Sequence, residues 1–163
     1  MRKIFLSLLV LVTISSVAQD LPKNYASLLK EVEPELIAWR RHFHEFPELS
    51  NREVNTGKYI ADFLKTLPNL EVRYPVAKTG VVAVLKGGKP GAVIALRADI
   101  DALPVYERVA IPFASKVTTE FNGQKVSVMH ACGHDSHTAM LMATAKMLSA
   151  MQKEVPGTIV FLF

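Results

Sequence analysis

The chain has 163 residues, 50% of them hydrophobic and only 21% charged, which suits one ordinary domain with a sizeable core and excludes a disordered polar chain. Its 19 basic residues against 15 acidic ones are scattered, with no basic run interleaved with aromatics, so no nucleic-acid footprint is visible. Cys132 is the only cysteine, which excludes an internal disulfide.

The opening MRKIFLSLLVLVTISSVAQD places Arg2 and Lys3 before an apolar run from Ile4 to Val12, then small residues at Ser16 and Ala18. That is the layout of a secretory signal peptide, with cleavage expected after Ala18. The apolar run is shorter than the roughly 20 residues a bilayer span needs, so no stable membrane anchor is expected. Residues 1–18 are therefore read as a leader and 19–163 as the folded part, secreted or periplasmic. Loss of Arg2 and Lys3 lowers the formal charge from +4 to +2. A lone accessible thiol invites damage in an oxidising compartment, so Cys132 is expected to be buried or engaged in chemistry.

From Glu33 to Phe46, Leu36, Trp39, Phe43 and Phe46 recur at helical spacing, with Pro34 suited to the first turn and Pro47 to the stop. Leu28, Leu29 and Val32 extend the pattern backwards through a kink. Ser50 and Glu53 fit a capping box for a second helix carrying Ile60, Phe63, Leu64 and Leu67 on one face and ending at Pro68. Leu70 to Val76, Gly80 to Leu85 and Ala92 to Leu96 read as strands, the last two separated by KGGKPG. Asp135 can cap a third helix running to about Met151, and Thr158 to Phe163 reads as another strand. Strands mixed with covering helices argue for an α/β fold, a sheet covered by helices. The apolar ending Phe161-Leu162-Phe163 is expected to be an interruption within a strand, so that the chain is the N-terminal part of a longer catalytic domain.

The chemistry concentrates in MHACGHDSH, where His130, Cys132, His134, Asp135 and His137 fall at a loop-to-helix junction. Cysteine sulfur and histidine nitrogen are ligands for zinc and neighbouring transition metals, and Cys132 and His134, two apart in an extended stretch, can be aimed at one ion. Gly133 frees the backbone between them for an unusual conformation. At the start of a helix, the dipole disfavours a positive charge on His137. Three other readings stand beside the metal site: polar contacts at a helix start, a structural zinc, and a thiol nucleophile at Cys132 with a histidine base.

In RADIDALP, Asp99 and Asp101 follow directly on the apolar strand AVIAL. Carboxylates at a buried strand end require a partner, and α/β sheets tend to place their sites there. Arg97 is expected to hold Asp99 while Asp101 turns toward the metal site. His42, His44, Glu45 and Glu48, in RRHFHEFPELS, are read as helix-end packing and capping residues rather than catalytic ones.

WRRHFHEFPELS, RADIDALP and MHACGHDSH, in this order from about Trp39 onward, resemble the amidohydrolase branch of the M20 metallopeptidase family, which includes hippurate and auxin-conjugate hydrolases. The resemblance implies a zinc-peptidase-like catalytic domain with two divalent metal ions, zinc or manganese first and nickel or cobalt as alternatives. It also implies a later inserted lid domain, often used for homodimerisation, that is absent from this chain. Cys132 and His134 match metal ligands, and Asp101 matches the carboxylate that orients a metal-binding group. Asp99 stands where the wider family's His-x-Asp-x-x-Pro pattern has histidine, a departure typical of the branch. The family's paired glutamates, one the general base, are expected just beyond Phe163. The implied function is hydrolysis of N-acyl amino acids or related amide conjugates, small molecules, by the full-length enzyme, with the 163 residues alone inactive. A secreted binding protein or remnant of the same fold is the non-enzymatic alternative.

Overall fold

In the computed structural model, which describes residues 24–163, helix α1 spans Tyr25–Glu45 without a break. The backward extension through Leu28, Leu29 and Val32 is part of this helix, and Pro34, expected in the first turn, lies in its interior. An interior proline costs about 3 kcal/mol. Burial offsets it: Val32 lies in the core, with Tyr25 and Leu28 packed against it. The leader expected over 1–18 lies outside the described residues.

Helix α2 spans Val54–Lys65, and its cap also departs from expectation. Ser50 makes no capping bond; Glu53 occupies the N-cap position, but its side chain accepts from Asn51 N and Thr79 Oγ1 instead. The free amides of the first turn go to Glu48, whose carboxylate accepts from Asn55 N at 3.2 Å and Thr56 N at 2.8 Å. Gly57 lets α2 approach the following strands, since a Cβ there would lie 2.2 Å from the Thr79 carbonyl oxygen.

Strands β1 (Leu70–Val76), β2 (Gly80–Lys86), β3 (Lys89–Arg97) and β6 (Pro156–Leu162) form one sheet in the order β1-β2-β6-β3. The first two junctions are antiparallel, while β3 and β6 run parallel. Such a parallel pair needs a long crossover. Helix α3 (His134–Ala150) lies within that connection. β3 begins inside the segment read as a turn, leaving only Gly87-Gly88 between strands; Pro90 is tolerated because β3 is an edge strand among the described residues.

Val81, Ala83 and Leu85 of β2 and Ile159 and Phe161 of β6 are buried. The register pairs Ala83 with Phe161 and Leu85 with Ile159, which puts these residues on one face. They share a core with Ile60, Ala61 and Leu64 of α2, Trp39 and Phe43 of α1, and Met142 and Ala145 of α3. No helix among the described residues is long and apolar enough to cross a membrane. The α/β class expected from the sequence is the one observed.

The sequence reading passes over a hairpin of β4 (Thr118–Phe121) and β5 (Gln124–Ser127). Its turn is Asn122-Gly123, both with positive φ, the strongest short-range hairpin signal. This hairpin leads the chain back to the loop before α3.

Candidate metal centre

Backbone bonds bring the three motifs together. Ala102 N donates to the Glu48 carbonyl at 2.7 Å, tying RADIDALP to the turn after α1. Leu103 and Met129 exchange both amide bonds at 3.0 Å, tying RADIDALP to the segment entering MHACGHDSH. Leu49, Ala102 and Val128 form a small buried cluster beneath this seam.

The loop then turns at Gly133, whose φ of 86° is the left-handed conformation that glycine adopts without strain. Gly133 is also the N-cap of α3, so Asp135 is the second helical residue and not the cap, contrary to expectation. Asp135 still serves the first turn, because its Oδ1 accepts from Ser136 N at 2.9 Å.

His134 opens the helix, and its Nδ1 faces the Asp101 carbonyl at 2.9 Å and the Asp101 carboxylate at 3.0 Å. Both partners are acceptors, so Nδ1 carries the hydrogen, and in the neutral ring Nε2 keeps a lone pair. A carboxylate on one ring nitrogen with the other nitrogen free is the arrangement by which proteins orient a metal-binding histidine. Cys132 is exposed, so of the two expectations for its thiol, burial is excluded. Its sulfur has no hydrogen-bonded histidine among the described residues.

Arg97 holds Asp99 Oδ1 through Nε at 2.8 Å and Nη2 at 2.7 Å in an exposed pair. Asp99 and Asp101 line a cleft of about 470 Å³ at the C-terminal ends of β3 and β6, together with Glu53 and Thr79. His137 sits in the first turn of α3, its ring 6.2 Å from that of His134. Among the described residues no group of three or more His, Cys, Asp or Glu side chains is arranged to hold an ion. Cys132 and His134 are donors of the right chemistry for a shared site, but they do not complete one.

Behind this loop lies a buried network that sequence reasoning missed. His44 Nδ1 is 2.7 Å from Asp135 Oδ2, and His44 Nε2 is 2.8 Å from Glu107 Oε2. Arg40 Nε reaches the same Asp135 oxygen at 3.2 Å. Burial would raise the Glu107 pKa, but bonds from the backbone at Val109 and from His44 outweigh it and hold the carboxyl below its ordinary value. A histidine near a helix end gave little sign of this, and nothing in the sequence marked Glu107. His130 is 95% buried with neither ring nitrogen hydrogen-bonded among the described residues. Desolvation pushes its pKa down to about 4 despite the nearby Asp135 carboxylate, so the ring is neutral near pH 7. His42 instead stacks on Tyr59 at 4.4 Å, and Glu48 caps α2.

Residues 95–163 match the model of peptidase family M20/M25/M40. The chain is 47% identical to an N-acyl-L-amino acid amidohydrolase of Geobacillus stearothermophilus over 136 residues, 83% of this chain and 34% of the relative. It is 48% identical to an N-acetylcysteine deacetylase of Bacillus subtilis over 128 residues, 78% and 32% of the two chains. Among solved structures it resembles the YXEP protein of Bacillus subtilis, a dinuclear metal-binding peptidase from the M20 family. The TM-score is 0.72 at 47% identity, covering 82% of this chain and 35% of that one. The chain thus spans about a third of the length of the relatives it matches. With these motifs joined at one seam, the chain is similar to the M20 peptidase family and to its amidohydrolase members.

Proposed function

We propose that the whole protein is a metal-dependent amidohydrolase that cleaves N-acyl amino acids or related amide conjugates to a carboxylic acid and an amino acid. The observation that carries this reading is the Asp101 contact on His134 Nδ1, which leaves Nε2 available one glycine away from the exposed Cys132 thiol. The named activities of the Geobacillus and Bacillus relatives support the substrate class, and the dinuclear YXEP protein supports two divalent ions.

In this reading Cys132, as thiolate, and His134 are two of the ligands, and the remaining ligands and a glutamate base come from outside residues 24–163. When bound, the divalent ions supply Lewis-acid polarisation of the amide carbonyl and a nucleophile at neutral pH. Asp101 holds the proton at His134 Nδ1, fixing the tautomer and aim of the ring. His130, neutral near pH 7, adds no positive charge beside a site that must accept cations. A thiol hydrolase built on Cys132 would need a histidine base within hydrogen-bond reach. None of the described histidines fills that position.

The test is hydrolysis of N-acetyl amino acids by the whole protein, before and after chelation and after thiol alkylation. Loss on chelation with rescue by added zinc or manganese is expected. Activity that survives chelation and dies on alkylation would overturn the metal reading in favour of the thiol one. We also propose export directed by residues 1–18. N-terminal sequencing of the mature protein should begin at Gln19, and an unprocessed cytoplasmic product would refute it.

A further inference from the structure

We infer that the buried cluster Arg40, His44, Glu107 and Asp135 is the positioning device of the metal loop, a reading that rests on the proposed metal site. Asp135 follows His134 directly, so whatever fixes Asp135 fixes the helical turn that presents His134 Nε2. Asp135 Oδ2 is gripped from α1 by His44 Nδ1 at 2.7 Å and Arg40 Nε at 3.2 Å. The other side of the imidazole is held by Glu107 Oε2 at 2.8 Å, and Glu107 Oε1 accepts from Val109 N at 3.1 Å. Three separate segments thereby meet on one ring.

Three of the four groups are nearly dry, with Asp135 1%, His44 3% and Glu107 9% exposed, while Arg40 reaches them from a partly exposed position. Desolvating such groups usually cancels what their attraction gains, so stability alone is a poor reason to keep them. Fixed geometry is a better one. The ligand loop has little else to hold it on this side. Cys132 is exposed, and His130 has no hydrogen-bond partner on either ring nitrogen among the described residues. The loop is anchored by the Leu103–Met129 bridge where it begins and by the Asp101 and Asp135 contacts where it enters α3. Removing His44 parts Glu107 from Asp135 and leaves Arg40 alone to grip Asp135 Oδ2, which loosens the first turn of α3.

The experiment compares wild type, His44→Ala and Cys132→Ser in the whole protein. It measures zinc affinity by chelator competition and the absorption spectrum of the cobalt-substituted form, alongside Tm. Partners that orient metal ligands change affinity by about 10–100-fold when removed. His44→Ala should therefore bind zinc at least about tenfold more weakly and shift the cobalt bands, which report ligand geometry. Leu64→Ala, in the core of α2, should lower Tm yet keep wild-type affinity and spectrum in the folded protein. A folded His44→Ala protein with wild-type affinity and spectrum overturns the inference. Should His44→Ala not fold, Glu107→Gln decides in the same way: weaker zinc with altered cobalt bands sustains the inference, and wild-type values overturn it. Cys132→Ser separates the two readings. If it leaves metal binding unchanged, or if wild type binds no metal, the metal site itself fails; if only His44→Ala is silent, the clamp alone fails.

Discussion

Replacing Glu48 with alanine removes the carboxylate that caps α2 from outside the helix. Its two oxygens accept from Asn55 N, Asn55 Nδ2, Thr56 N and Thr56 Oγ1, the last three at 2.8 Å. Losing an N-cap costs about 0.5–2 kcal/mol. Removing a negative charge from the positive end of the dipole adds about 0.3–1 kcal/mol. The expected loss is about 1–3 kcal/mol, which lowers Tm by roughly 2–12 °C in a protein of this size. Ser50→Ala, at the position a capping-box pattern would favour, should cost less than about 0.5 kcal/mol, because that side chain is exposed and caps nothing. Thermal unfolding compares the two variants, and hydrogen exchange reads the Asn55 and Thr56 amides directly. Faster exchange at those amides in Glu48→Ala is expected. If Ser50→Ala is the more destabilised protein, or those amides keep their protection in Glu48→Ala, the capping argument is wrong.

Asp101→Asn keeps the shape of the His134 contact but removes its charge, and metal affinity in the whole protein should fall by about 10–100-fold with little change in Tm. Calorimetric titration with zinc checks it. For Glu107, the folded-state pKa lies below its ordinary value, so its contribution to stability is present above that ordinary value and fades as pH falls through the lowered one. Stability measured by denaturant from about pH 6 to pH 3 should therefore fall less steeply in Glu107→Gln than in wild type. Equal slopes would remove Glu107 from the acid response.

The sheet was legible because its strands are short branched runs bounded by glycine and proline. Leu70–Val76 and Gly80–Lys86 stand within a residue of where the pattern puts them. The interior place of Pro34 in α1 was not, because proline is a local signal and the burial of Val32 that overrides it depends on distant residues. The cap of α2 misled for a similar reason: Glu48 sits outside the usual capping spacing and reaches the amides only because the chain turns back at Ser50-Asn51, where Arg52 N donates to the Leu49 carbonyl. Asn122-Gly123 was a readable hairpin signal that the chemistry-rich neighbourhood obscured.

At the site, the pairing of Asp101 with His134 follows from motif order, since a carboxylate at a strand end needs a partner. The His44 network does not. Its members come from residues 40, 44, 107 and 135, and only the seam formed by Ala102 with Glu48 and Leu103 with Met129 brings those segments together.

Metal content measured by plasma mass spectrometry tests the central claim most directly, using the whole protein purified without chelator beside its Cys132→Ser and His134→Ala variants. Two divalent ions per chain in wild type, with depleted content and matching loss of N-acetyl amino acid hydrolysis in both variants, is the expected result. Full hydrolysis by a metal-free wild type, or undiminished metal in both variants, would contradict the assignment of these two residues.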